Sequence, residues 1–270
     1  MQANSDSWHG IAEEVNASVS AISPLHGEPH PVIMVVGLPR SGTTLAMQIL
    51  QAHGVLVPDH VVAAFWRSPA VGFGLSAHLR TVSGHHEPTY SSDYGRTDDW
   101  REPHEFSYFW RDALGCNPHS EDEVRQADVS PLASSITALS KAAGAAVAIK
   151  SFPALWMGES LDRLPEHVMF LTVTRDLEDV RKSIERGWRR AIEGGADWFS
   201  LRPSGGAANR FASTDECIDF QVDRLARSLE SFNKAAASSR IVVPVDYREL
   251  VDTPEAVVAS VRRASDRFVA

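Results

Sequence analysis

Cysteine is scarce in this chain, and the scarcity excludes two kinds of protein. Cys116 and Cys217 are the only 2 cysteines among 270 residues. Two widely separated cysteines provide neither a disulfide framework nor the paired spacing of a zinc site. We therefore expect two reduced thiols, no metal centre, and a fold that depends on an apolar core.

Positive charge is also in short supply. The chain has 26 Lys and Arg residues against 35 Asp and Glu residues, which gives a formal net charge of −9. Broad binding to nucleic acid or to an anionic membrane surface needs a basic field. The charge balance argues against both partners, so an anionic ligand would have to be held by a local cluster of cations.

Long apolar runs are missing as well. No stretch reaches the roughly 18 apolar residues that a membrane-spanning helix needs. Residues 1–31 are polar and acidic, and they lack the basic and apolar regions of a secretion signal. We expect a cytoplasmic protein without a membrane span, assembled as a monomer or a homodimer.

The apolar runs that are present predict the fold. Four buried strands are predicted at 32–37, 146–149, 168–174 and 241–246. Helical patterns separate them, at about 42–53, 121–143, 155–164, 176–193, 214–237 and 254–268. Strands that alternate with helices indicate an α/β fold of three layers, with a central parallel sheet of the P-loop type. We expect residues 1–270 to form a single domain, with 1–31 as an N-terminal extension that contains a short amphipathic helix (Ile11, Val15, Val19, Ile22).

The first strand leads into a loop that is typical of phosphate binding. Gly37 and Gly42 have the spacing of the motif G-x-x-x-x-G-K-[ST], and a helix follows. Such a loop directs backbone N–H groups and the positive end of the helix at an anion. Thr43 stands where the motif has its lysine, and Arg40 is the one strong cation of the loop. A phosphate-like ligand is expected, handled differently from ATP in an NTPase.

Cations or a tyrosine follow the other predicted strands. Lys150 and Ser151 follow the second strand, Arg175 the third, and Tyr247 with Arg248 the fourth. Ligands of parallel sheets bind at the carboxyl ends of the strands. We expect these side chains to converge on the glycine loop.

These motifs resemble the sulfotransferases that use 3′-phosphoadenosine 5′-phosphosulfate (PAPS), in particular bacterial members. The family's loop P-[KR]-S-G-T-T is found as residues 39–44. Its second motif, an arginine closing a strand and a serine eight residues later, is found as Arg175 and Ser183. Tyr247 begins a segment similar to the family's Tyr-Glu-x-Leu. The resemblance extends from residue 32 to about residue 260.

The resemblance implies a donor site. Its cofactor-binding residues would be Arg40, Ser41, Gly42, Thr43, Thr44, Arg175, Ser183, Tyr247 and Arg248. The loop would hold the 5′-phosphosulfate without a metal, while Arg175 and Ser183 would hold the 3′-phosphate. A guanidinium suits a dianionic phosphate because it can donate two parallel hydrogen bonds. Three alternatives remain: the loop at 37–44 is a plain tight turn between strand and helix, Arg175 pairs with Asp179 or another acid, and Tyr247 only packs in the core.

The catalytic residues are predicted with less support from motifs. Arg40 and Lys150 would stabilise charge on the leaving phosphate oxygen, unless Lys150 merely extends from a strand end into solvent. Lys150 resembles the lysine of the Lys-Thr-His segment of cytosolic sulfotransferases, but Phe152 stands where the catalytic histidine would be. The general base is therefore sought among His104, Glu105 and His60, in that order.

The acceptor side is predicted more coarsely. Residues 55–110, irregular and rich in aromatic residues, would form an insertion that lines an acceptor pocket, and 194–213 would form a mobile loop. The acceptor would be a hydroxyl, or an amine, of a small molecule or glycan. Two other functions remain open: a P-loop kinase or NTPase, which the missing loop lysine disfavours, and a non-catalytic nucleotide-binding relative.

Overall fold

The computed structural model describes residues 27–84, 86–93 and 95–268. Its strands are β1 (Val32–Gly37), β2 (Val147–Lys150), β3 (Val168–Thr174) and β4 (Val242–Asp246). Its α-helices are α1 (Thr43–Ala52), α2 (His60–Ala64), α3 (Pro69–Ser83), α4 (Ser107–Leu114), α5 (Glu121–Gln126), α6 (Ser130–Ala143), α7 (Leu177–Glu193), α8 (Thr214–Ser239), α9 (Tyr247–Asp252) and α10 (Pro254–Ser265). The predicted amphipathic helix near the N-terminus lies outside the described residues.

The four strands form one parallel sheet in the order β2-β1-β3-β4. Successive residues of β1 enter different cores: Val32 and Met34 pack with α6 and α8, whereas Ile33 and Val35 pack with α1 and α10. Side chains of a strand point alternately to the two faces of its sheet, so both faces are covered. The predicted three-layer α/β fold with a central parallel sheet is confirmed.

The register of the strands brings their carboxyl ends together. Gly37 lies opposite Val173, and Thr174 lies opposite Asp246. Lys150, the last residue of β2, lies opposite Val35. The residues that follow these strands therefore meet at one edge of the sheet, as predicted.

Residues 55–110 are more helical than predicted, because α2, α3 and the start of α4 lie there. The glycines of α3 suggested a loop, but Gly72 is where α2 and α3 pack closely. A Cβ atom at Gly72 would lie 3.0 Å from the Cα of Val62. This glycine permits close helix packing and does not mark a turn.

Two predicted helices are divided, and α9 was missed along with α2, α3 and α4. The helix predicted over 121–143 is two helices, interrupted at 127–129 before Pro131, which can begin a helix but not continue one. The helix predicted over 155–164 is a pair of 3-10 turns, Pro153–Trp156 and Gly158–Arg163. The missed helix α9 begins with a capping box, in which Asp246 and Glu249 bond to each other's backbone.

The loop at 194–213 packs against the rest of the protein. The ring of Trp198 meets that of Trp188 edge to face, with the centroids 5.1 Å apart. Gln221, buried on α8, donates hydrogen bonds to the carbonyl oxygens of Phe199 and Leu201. The middle of this segment is therefore anchored to helices α7 and α8.

Candidate active site

Close packing of backbone and side chains requires both glycines of the loop between β1 and α1. A Cβ atom at Gly37 would lie 2.5 Å from the Oγ of Ser41 and 2.7 Å from the carbonyl oxygen of Val173. Gly42 has a φ of +105°, and a Cβ there would lie 2.6 Å from the ring of Tyr247. The loop thus fits tightly between β3 and the start of α9.

The loop leaves the start of α1 open to an anion. Gly42 is the N-cap of α1, so it provides no side chain that could bond the first N–H groups, and the first turn contains no acidic residue. The Oγ of Ser41 is buried and has no hydrogen-bond partner among the described residues. Unpaired donors at a helix N-terminus favour a negatively charged ligand.

Two arginines join the glycine loop to helix α7 and to the end of the third strand. Arg40 donates from Nε to the Oγ of Ser183 at 3.0 Å. Arg175 donates to the carbonyl oxygen of Arg40 at 3.3 Å, and its guanidinium lies 4.2 Å from the ring centroid of Tyr247. Its Nε is 3.8 Å from the carboxylate of Asp179, whose side chain is 55% exposed. The alternative pairing of Arg175 is thus present, but loose and solvent-exposed.

A second polar cluster lies beside the loop at the end of β2. Lys150 donates from Nζ to Oε1 of Glu105 at 2.5 Å. A Cβ atom at Gly95 would lie 2.7 Å from that Oε1, 3.1 Å from the Lys150 Nζ and 3.5 Å from the Thr44 Oγ1. These polar atoms therefore surround Gly95, next to the first turn of α1. Burial raises the pKa of Glu105, but Lys150 outweighs burial and holds that pKa below its usual value.

A cavity of about 750 Å³ opens over the loop and this cluster. Among the described residues that line it, five are cations and two are carboxylates. The cations are Arg40, Arg96, Lys150, Arg175 and Arg190, and the carboxylates are Asp93 and Glu105. In a chain with a net charge of −9, this local excess of positive charge marks a site for an anionic ligand.

The predicted donor-site residues divide by position. Gly42, Thr43, Thr44 and Tyr247 line the cavity with the two arginines. Ser41 and Ser183 are buried behind the lining, 1% and 5% exposed. Arg248 is exposed and does not line the cavity.

The two histidines predicted as bases lie together, away from the cavity lining. The rings of His60 and His104 meet edge to face, 5.0 Å between centroids. The His60 Nε2 is 3.1 Å from the Oγ1 of Thr97, and the His104 Nδ1 accepts a hydrogen bond from the N–H of Phe106. Burial lowers the pKa of both, that of His104 to about 4. Glu105, the third candidate, lines the cavity.

The aromatic residues of 55–110 mostly belong to the core. Phe65, Phe106, Phe109 and Trp110 are almost completely buried. Tyr90 is half-exposed and lines the cavity. Tyr94 lies outside the described residues. The described part of this segment contributes more to folding than to an apolar pocket.

Sequence reasoning missed three lining residues: Arg96, His119 and Arg190. Arg190 lies on α7 and bonds to both carboxylate oxygens of Asp93. Arg96 lies in the segment 55–110, where no motif gives it a role. His119 sits in a short Asn-Pro-His turn that matches no motif, so only the folded chain could reveal it.

Fold and site together define an α/β protein with a cation-lined cavity at the carboxyl edge of a parallel sheet. Residues 31–266 match the family model described as the sulfotransferase family, and the chain belongs to that family. No curated protein matches the chain.

Two solved bacterial structures share the fold. Sulfotransferase STF1 from Mycobacterium tuberculosis H37Rv is 17% identical, with a TM-score of 0.54, over 96% of this chain and 72% of that chain. Sulfotransferase STF9 from Mycobacterium avium is 14% identical, with a TM-score of 0.58, over 96% of this chain and 68% of that chain.

Neither a membrane-spanning helix nor a metal-binding cluster occurs among the described residues. None of the helices there is long and apolar enough to cross a membrane. No group of three or more His, Cys, Asp or Glu side chains in the same residues is arranged to hold a metal ion.

Proposed function

We propose that the protein transfers a sulfuryl group from PAPS to a hydroxyl, or an amine, of a small-molecule or glycan acceptor. One observation carries the proposal: Arg40, Arg175 and Ser183 are joined by hydrogen bonds around the open start of α1. To recognise PAPS, the site must hold its two anionic groups, the 5′-phosphosulfate and the 3′-phosphate, at a fixed separation. This arrangement offers two cationic positions linked through one short loop.

The 5′ end of the donor would be held by the glycine loop. Its N–H groups at the start of α1, the buried hydroxyl of Ser41 and those of Thr43 and Thr44 are the available donors. Hydrogen bonds to a charged acceptor are about twice as strong as neutral ones. Arg40 adds a permanent charge, so the loop can bind a phosphosulfate without a lysine in the motif.

The 3′-phosphate would be held by Arg175 and Ser183. The guanidinium of Arg175 lies 4.2 Å from the ring centroid of Tyr247, a contact that restricts the positions from which its N–H groups donate. Tyr247 lines the cavity beside it and can also contact the nucleoside. Arg248 would assist only from the surface, since it lies outside the lining.

PAPS supplies an activated sulfuryl group whose leaving oxygen gains negative charge as transfer proceeds. Arg40 and Lys150 would stabilise that charge, and one such fixed donor is typically worth about 3 kcal/mol. Lys150 is held by Glu105 and by the strand itself, whose last carbonyl oxygen accepts a hydrogen bond from the Trp110 Nε1. A preorganised cation needs little rearrangement during the reaction.

A general base would take the acceptor's proton, and His104, Glu105 and His60 are the candidates from the sequence. Glu105 is the one that lines the cavity, whereas both histidines lie behind it. Because Lys150 lowers the pKa of Glu105, this carboxylate is a weak proton acceptor. Orienting Lys150 is the role that its geometry supports.

The proposal is tested by turnover. The purified protein, PAPS and a panel of hydroxylated and amino metabolites are incubated, and sulfated products are detected by mass. We expect a product that is about 80 Da heavier than one of the acceptors, which is the mass added by one SO₃ group. Phosphorylated products with ATP would support a kinase, and donor binding without any product would support a non-catalytic relative.

A further inference from the structure

His119 occupies a defined position in the wall of the cavity. The preceding turn is closed by Asn117, whose side-chain oxygen accepts from the N–H of His119 at 3.2 Å. The carbonyl oxygen of His119 accepts from the N–H of Arg202 at 2.7 Å. The backbone of this histidine is thus fixed from two sides, by its own turn and by the 194–213 loop.

The imidazole of His119 lies against the ring of Phe152. Their centroids are 4.5 Å apart, and the rings are inclined by 28°. Phe152 is 6% exposed and lies two residues after Lys150, so it is a rigid support at the end of β2. Stacking therefore holds the imidazole beside the strand end that carries Lys150.

The charged groups around His119 leave it suited to accept a proton. Burial lowers its pKa from the usual value; Glu105 opposes that shift, while Lys150 and Arg111 reinforce it. The imidazole is consequently neutral at pH 7 and has one unprotonated ring nitrogen. Glu105, in contrast, is engaged in its ion pair with Lys150.

We propose that His119 is the general base of sulfuryl transfer, an inference that rests on the function proposed above. The acceptor oxygen attacks sulfur, and the bond between sulfur and the bridging phosphate oxygen breaks. The electron pair of that bond stays on the phosphate oxygen, next to Arg40 and Lys150. The acceptor's proton moves to the unprotonated nitrogen of His119, which later releases it to water, and the products are a sulfate ester and adenosine 3′,5′-bisphosphate.

The sequence alone could not distinguish the roles of His119, Glu105 and the His60–His104 pair. His119 accepts the proton, Glu105 positions Lys150, and the His60–His104 pair lies outside the cavity lining. Phe152 then supports the base sterically, although it cannot be one itself.

The test compares His119→Asn with the wild type and with His78→Asn, a control at an exposed histidine of α3 outside the cavity lining. General-base catalysis contributes about 100- to 10,000-fold, so we expect a loss of kcat in that range. The Kd for adenosine 3′,5′-bisphosphate should stay within about twofold, because a base does not hold the donor. The control should match the wild type in both measurements.

Two further readouts distinguish a base from a structural residue. In the wild type, kcat/KM should fall on the acid side with a midpoint below 6.5, and His119→Asn should lack that acid limb. Added imidazole should partly restore turnover to His119→Ala. Activity within threefold of wild type in His119→Asn, or a parallel loss of bisphosphate affinity, would overturn the assignment; so would loss of the acid limb in Glu105→Gln alone.

One measurement does not depend on turnover. The His119 ring, followed by NMR in the wild type, should titrate below 6.5 and shift when adenosine 3′,5′-bisphosphate is added. If the His119 ring titrates at 6.5 or above and its NMR signal does not change when the bisphosphate is added, the proposed role of His119 is contradicted. A wild type that binds the bisphosphate and shows this titration but transfers no sulfuryl group would count against the proposed function instead.

Discussion

Arg40 donates a hydrogen bond from its Nε to the Oγ of Ser183 at 3.0 Å, although 143 residues separate them in the chain. The bond ties the glycine loop to helix α7. Arg175, in turn, donates a hydrogen bond to the carbonyl oxygen of Arg40. The two sequence motifs therefore form one physical unit.

Replacing Arg40 and replacing Arg175 should affect different quantities, kcat and the Kd for the bisphosphate. Arg40→Ala loses a cation at the leaving oxygen, so kcat should drop by about 100- to 1,000-fold. Arg175→Ala loses hydrogen bonds to the 3′-phosphate, worth about 1.5–3 kcal/mol, so the Kd for the bisphosphate should rise by about 10- to 150-fold. Steady-state kinetics and calorimetric titration measure the two effects.

The matched control is Arg227→Ala, which removes an exposed arginine paired with Asp223 on the same helix. It should leave kcat and Kd unchanged. Equal losses of kcat and affinity in both Arg40→Ala and Arg175→Ala would contradict this division of roles.

Gly42 should tolerate alanine worse than Gly54 does. Both have positive φ, +105° and +82°, so alanine is strained at either position by about 1–2 kcal/mol. At Gly54 a Cβ meets nothing within 4 Å, whereas at Gly42 it would press on the Tyr247 ring. The free energy of unfolding in urea should fall further for Gly42→Ala.

A double mutant identifies the cause of that difference. Tyr247→Ala removes the ring. In that background, Gly42→Ala should lower the free energy of unfolding by no more than Gly54→Ala lowers it in the wild type. If the two glycine variants are equally stable in the wild-type background, that result contradicts the close contact between Gly42 and the ring of Tyr247.

Stability should depend on pH through His104. Its folded-state pKa is about 4, because burial lowers it from 6.5. Between these values the unfolded chain binds the proton and the folded protein does not, so stability is complete above about pH 6.5 and declines as the pH falls towards 4. Each pKa unit corresponds to about 1.4 kcal/mol.

The matched variant is His104→Asn, in which an amide oxygen can still accept from the Phe106 N–H. It does not titrate, so the free energy of unfolding should vary less with pH between 4 and 6.5 than in the wild type. Chemical denaturation at a series of pH values measures this. If the free energy of unfolding varies with pH equally in both proteins, His104 does not cause the variation.

Local patterns predicted the parts of the fold that depend on local chemistry. The apolar runs of β1 and β3 are buried on both faces, so their composition alone identified them as buried strands. The start of the helix predicted over 176–193 is correct to one residue, because the side chain of Asp176 caps α7. The loop from Gly37 to Gly42 followed from spacing alone.

Features that arise from packing could not be predicted in this way. Gly72 indicated a loop, yet it permits contact with Val62, a partner that only the folded chain reveals. His119 had no motif, and its position depends on the ring of Phe152 and on the backbone of Arg202. The site residues of the glycine loop and the strand ends were predictable from motifs, whereas Arg96, His119 and Arg190 were not.

The central claim is that the cavity binds a PAPS-type nucleotide, and calorimetric titration with adenosine 3′,5′-bisphosphate tests it most directly. We predict saturable one-to-one binding that weakens with added salt, because charge holds the ligand, and that is tighter than binding of Mg-ATP. No measurable affinity for the bisphosphate, or tighter binding of Mg-ATP, would contradict the account.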